Sequence, residues 1–211
     1  MDKQSKKTAS SAKRGSNTSF DETADSVSIW KKGKIRLTAY DIAMMGMMVA
    51  IMVASKEALS FLANIELVSF WVIMFTMYFG WRIWFVIPAF ILIECSIYSL
   101  GIWNLMYFLV WPVLAAVAWI FRKVDSAWLW SIISGAFGLS YGFLCTIVYA
   151  LLAILNSGFA VGMKSAFAWW IAGIPYDIVH CIGNFTIMLV LYRPMHKVMQ
   201  ILENSRDHNS R

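Results

Sequence analysis

The sequence predicts an all-α integral membrane protein of six transmembrane helices with both termini cytoplasmic. Three observations predict it. The first is composition: of 211 residues, 60% are hydrophobic and 14% charged, with a mean hydropathy of +0.64. Soluble domains hold about 45–50% apolar and about 25% charged residues. The second is a series of six apolar segments, at 38–60, 67–81, 83–100, 102–121, 128–154 and 167–192. Most of them meet the need for about 20 residues to cross a core about 30 Å thick. The third is where the charge sits. Residues 1–36 carry nine Lys/Arg against four Asp/Glu, while the other 175 residues carry nine against eight. The net charge of +6 is therefore a juxtamembrane flank and not a nucleic-acid footprint.

Residues 1–36 are rich in Ser, Thr, Lys and Asp and lack the apolar stretch of a cleavable signal peptide. They read as a disordered basic cytoplasmic tail, ending in the anchor "WKKGKIR". A single membrane domain follows over 37–197, and a polar cytoplasmic tail over 198–211. Segments 2 and 3 are divided only by "GWR" at 80–82, so one long helix is the competing reading. Charge decides between them. With six spans, nine flanking Lys/Arg lie inside and only Lys56 and Lys164 outside; with 2 and 3 fused, the flanks balance at five each. The positive-inside bias favours six.

In segment 1, Gly46, Ala50, Ala54 and Ala58 recur every four residues and form a smooth ridge. Such a ridge lets another helix approach closely, either within the bundle or from another subunit. The methionines at 44, 45, 47, 48 and 52 flank it as lipid-facing or core filler. Segment 3 carries Glu94, and Tyr98 a turn later. A carboxylate inside a span is costly, so a functional or pairing role is its default reading. Segment 4 brings Asn104, Tyr107 and Trp111, with Trp103 at its start, and segment 5 brings Tyr149. Segment 6 begins with Trp169 and Trp170 and then places Asp177, His180 and Asn184 at spacings of three and four, on one helical face. Asp177 lies ten residues into its segment, about 15 Å deep and near the midplane. Together these residues suggest a polar and aromatic cavity open to the outside. Asp177, His180 and Asn184 form its floor or a polar lock between helices beneath it. His196, beyond Arg193 and Pro194, reads as a cytoplasmic surface residue. Pro88, Pro112 and Pro175 lie inside spans, where neighbouring helices satisfy the freed carbonyls.

The cysteines Cys95, Cys145 and Cys181 stand alone in apolar segments and read as small buried hydrophobes. The sequence holds no GxSxG, HExxH, P-loop or dinucleotide fingerprint. His180 with Asp177 falls short of a metal site of three or four ligands. No enzyme, metal or cofactor is expected on this chain. Two rivals use the same residues. A stand-alone secondary transporter would use Glu94 and Asp177 as proton carriers. An intramembrane enzyme would use Asp177 and His180 as an acid–base pair, but Cys181 points about 100° away from His180 around the helix.

The stretches "FLANIELVSFWVI", "GIWNLMYFLVWPVL" and "WWIAGIPYDIVHCIGNF" resemble the substrate-binding S components of energy-coupling factor (ECF) transporters, and the likeness runs over about 38–197. The resemblance implies a six-helix membrane protein of the bacterial plasma membrane that captures a vitamin or related micronutrient on its outer face. It implies as partners a transmembrane T component and two ATPase subunits, which hydrolyse the ATP. The family's helix 1 carries an Ala-x-x-x-Ala pattern that docks on the T component, and Ala50 and Ala54 match it here, extended by Gly46 and Ala58.

Overall fold

A computed structural model describes residues 37–62 and 64–209, so the tail expected at 1–36 lies outside the described residues. Among the described residues six α-helices follow one another: α1 (Ala39–Ala58), α2 (Val68–Phe79), α3 (Ile83–Tyr98), α4 (Ile102–Phe121), α5 (Ala127–Ser157) and α6 (Phe159–Asn209), with a 3-10 turn at Gly80–Arg82 before α3. The described residues fall into two units that divide after Asp41. In the first, Thr38 caps α1: its hydroxyl accepts from the Asp41 N–H at 3.1 Å, and its own N–H donates to Asp41 Oδ2 at 3.1 Å. This pairs two groups that a helix start leaves unsatisfied.

Five helical stretches among the described residues are long and apolar enough to cross a membrane: Ala39–Ala58, Val68–Tyr98, Ile102–Phe121, Ala127–Ser157 and Phe159–Leu202. Large side chains such as Leu92, Ile120 and Leu155 stay exposed on their outer faces, which is the pattern of a multi-pass membrane protein.

The stretch Val68–Tyr98 is not one rod. A straight helix of 31 residues would hold its ends about 45 Å apart, yet Glu66 and Tyr98 line the same cavity. The chain therefore folds back at Gly80–Arg82. Gly80 supplies the bend with φ +58°, a left-handed conformation open to a residue without Cβ. The resulting arms, of 12 and 16 residues, measure about 18 and about 24 Å. Nine of the 12 residues of α2 are buried, so α2 is covered by protein on nearly all sides and is shielded from lipid despite its shortness.

α5 and α6 form the other hairpin. Gly158, at φ +79°, ends α5 and donates its N–H to Ile154 O at 2.9 Å, a left-handed helix stop. The two helices then run against each other closely, because α5 offers Gly135, Gly138 and Gly142 to its partner. A Cβ on Gly138 would stand 2.8 Å from the His180 carbonyl, and one on Gly135 would stand 3.2 Å from Phe185 Cβ. α6 continues to Asn209, well past the apolar segment ending at 192, and carries Pro175 and Pro194 without a break.

Candidate ligand-binding cavity

A cavity of about 500 Å³ opens at the end of the bundle where α1 and α3 finish and α2 and α4 begin. Its rim is the α1–α2 connection, with Leu59, Ser60, Leu62 and Asn64; its walls are aromatic, from Tyr98, Trp103, Tyr107 and Tyr141; Lys56, Glu66 and His180 add basic and acidic groups. This volume and lining suit a small organic ligand.

The rings form a continuous train. Trp103 packs edge-on to Tyr98 and Tyr107 at 6.3 and 5.3 Å, Tyr107 to Trp111 at 5.4 Å, Trp111 on Tyr141 at 6.0 Å, and Tyr141 on His180 at 4.8 Å. The sequence places Trp103 and Tyr107 four apart on α4, which puts both on one face. Trp111, another four residues on, is completely buried behind them.

Lys56, the last basic residue of α1, turns into this wall. Its ammonium donates to Glu94 Oε2. It lies 5.1, 5.8 and 5.3 Å from the ring centres of Tyr98, Trp103 and Tyr107, within the range of a cation–π contact. Glu94 has no exposed surface, and its other oxygen has no hydrogen-bond partner. At the rim the Tyr98 hydroxyl donates to Glu57 at 2.6 Å.

Glu66 stands in the connection just before α2. Its nearest ionic neighbour is His180 Nε2, 3.9 Å from Oε1, and burial lifts its pKa to about 7, against a lowering by Lys56 and a small further rise from Glu94. His180 is almost wholly buried, and its Nε2 makes no hydrogen bond.

The polar trio of α6 is divided between two tasks. Asp177 Oδ1 accepts the backbone N–H of Gly142 at 2.9 Å, and its carboxylate fills the space where a side chain at Gly142 would stand. Asn184 donates to Ser69 Oγ at 3.2 Å and to Ser134 O at 3.4 Å, tying α2, α5 and α6 together. Neither lines the cavity. On a helix, positions 177 and 184 lie about 20° apart, while 180 lies about 60° from 177. That rotation turns His180 into the cavity and leaves the other two against α5.

The remaining candidates scatter. Tyr98, Tyr107 and His180 reach the cavity; Glu94 and Trp111 stand one layer behind it. Asn104 caps the start of α4, accepting the Gly101 N–H at 2.6 Å and donating to Cys95 Sγ at 2.9 Å. Tyr149 lines a separate cavity of about 260 Å³, with its hydroxyl 3.0 Å from Ser165 Oγ. Trp170 packs on Phe143 and Phe167 and lines neither. The sequence reading missed Glu66 and Tyr141. Glu66 carried a signal, being an acid at the very edge of an apolar segment; Tyr141 carried none.

On α1, Gly46, Ala50, Ala54 and Ala58 are all exposed, and nothing lies within 4 Å of where a Gly46 Cβ would be. The opposite face, with Met48, Val49 and Met52, is buried. Among the described residues the small-residue ridge is therefore not used for packing. Among the described residues no group of three His, Cys, Asp or Glu is placed to hold a metal ion. Comparison with protein-family models, with curated proteins and with solved structures finds no match.

Proposed function

We propose that this chain is the substrate-binding S component of an ECF-type importer of the bacterial plasma membrane, with six crossings and both termini cytoplasmic. In that topology the cavity faces outward, because α1 and α3 end there and α2 and α4 start there. The cavity carries the reading: a space of about 500 Å³ walled by aromatic side chains, with Lys56, Glu66 and His180 set among them, fits capture of a vitamin-like micronutrient. The exposed ridge of Gly46, Ala50, Ala54 and Ala58 supplies a face on which a transmembrane T component packs closely. ATP hydrolysis belongs to two partner ATPases, consistent with a sequence that holds no nucleotide-binding motif. The proton-coupled alternative draws less support, since Glu94 and Asp177, its two carriers, are each engaged by a partner.

Ala54→Trp tests the reading. It should abolish ATP-dependent uptake by the assembled complex while leaving ligand binding to the isolated chain intact, because a bulky ring on the ridge blocks a partner helix. Normal uptake would remove the ridge as the docking face. Uphill accumulation by the lone chain in liposomes under a pH gradient alone would favour the secondary transporter.

A further inference from the structure

The charges at the cavity do not balance. Lys56 is neutralised by Glu94. Asp177 is held against α5 by Gly142. Glu66 is left over: a carboxylate facing the cavity with no hydrogen-bond donor among the described residues, only His180 at 3.9 Å. His180 in turn offers a buried ring nitrogen without a partner. Glu57, held at the rim by Tyr98, adds a second negative charge near the mouth. The walls favour the same sign. Aromatic faces attract cations, and three of the cavity's rings already surround the Lys56 ammonium within 6 Å. An anion entering here would meet Glu66 and find the cavity's one lysine already paired to Glu94.

We propose that the cavity takes an organic cation, a protonated or quaternary nitrogen on a ring-bearing body, with Glu66 as its counter-ion and Tyr107 and Tyr141 against its ring. This rests on the cavity being the ligand site of the reading above. Glu66 lies in a connection outside the helices and has no hydrogen-bond donor among the described residues, so its exchange for glutamine breaks no hydrogen bond between helices. Its neighbour His180 completes the site as a hydrogen-bond partner for a ligand acceptor or donor.

The test titrates three probes of similar size into the purified full chain in detergent, read by tryptophan fluorescence and calorimetry: benzyltrimethylammonium, benzyl alcohol and benzoate. The ammonium should bind about tenfold or more tighter than either of the others, the range a charge-assisted contact contributes. Glu66→Gln should cost the ammonium about tenfold and leave benzyl alcohol unchanged, and Glu66→Lys should shift preference to benzoate. The inference falls if the ammonium does not bind, if benzoate or benzyl alcohol binds as tightly, or if Glu66→Gln changes nothing. Preferential benzoate binding would leave the importer reading standing with another ligand class. Ammonium binding by a chain that never joins a T component would leave the cation site and remove the importer.

Discussion

The two ends of α2 lie in opposite kinds of polar surroundings. At its start, Glu66 and His180 face the cavity without a hydrogen bond between them, and the buried Glu94 Oε1 behind its wall has no partner. At its end, Tyr78 meets His196 Nδ1, Gln200 reaches His196 Nε2 at 3.0 Å, and Asp125 takes the Tyr192 hydroxyl at 3.1 Å with His196 3.7 Å away. The Tyr192 and His196 rings stack at 5.4 Å. Both ends use the same residue types. A buried polar group without a partner costs about 1–3 kcal/mol. The paired end returns that cost as helix-to-helix adhesion, and the unpaired end keeps it, which is the pattern of a site completed by something outside the chain. The other unpaired atoms, on Trp71, Trp111 and Ser134, do not line the cavity.

The largest expected effect comes from breaking the frame that both ends depend on. Gly138→Leu would drive a side chain into the His180 backbone, where a Cβ alone already stands at 2.8 Å. Backbone cannot swing aside as a side chain can, so the α5–α6 hairpin should open, with a loss of about 3 kcal/mol or more. Thermal unfolding in detergent measures it. A Gly138→Leu protein as stable as the natural one would mean that α5 and α6 do not meet as described.

Much of this frame was legible. The apolar segments stand out by hydropathy, the second and third as one stretch, and the break at "GWR" was legible in the balance of flanking charges. The exposed ridge on α1 was legible as spacing, although only the structure separates outward from inward small residues. The glycines at 135, 138 and 142 have the same small-residue logic and went unread, because they follow a three-then-four step and not a strict four. The α6 trio was legible as one face, but spacing alone could not show that 60° of rotation divides a lock from a cavity wall. Glu66 escaped because hydropathy rewards spans, and the cavity is built largely from the ends of spans.

An intermediate effect separates locks by position. Asp177→Ala leaves the Gly142 N–H without its side-chain acceptor in a buried interface and should cost about 1–3 kcal/mol of stability, with ligand affinity in the folded protein little changed. His196 is not the free surface residue that the sequence suggests. Its side chain is 15% exposed and joins Tyr78 and Gln200, because α6 runs on past the membrane segment and packs against the end of α2. His196→Ala should therefore cost about 1 kcal/mol and leave affinity alone. Denaturation midpoints beside ligand titrations of both variants decide it. A stable Asp177→Ala protein with lost affinity would return Asp177 to the site.

The smallest effect is a pH dependence confined to the cavity end. The Glu66 pKa is raised to about 7, first by burial. A carboxyl whose folded pKa exceeds its unfolded value favours the fold fully below the unfolded pKa, and that contribution is lost as pH rises toward the folded one. The empty protein should thus lose stability between about pH 4.5 and 7 through Glu66. A bound cation reverses the sense, since it needs the carboxylate charged. Affinity for benzyltrimethylammonium should rise as pH goes from 6 to 8, by up to about tenfold as the ionised fraction grows. The groups facing Glu66 are Lys56 from α1, Glu94 and Tyr98 from α3, Tyr107 from α4, Tyr141 from α5 and His180 from α6. Glu66→Gln assigns the titration: it should flatten the profile, while a profile that survives the substitution takes the counter-ion role from Glu66.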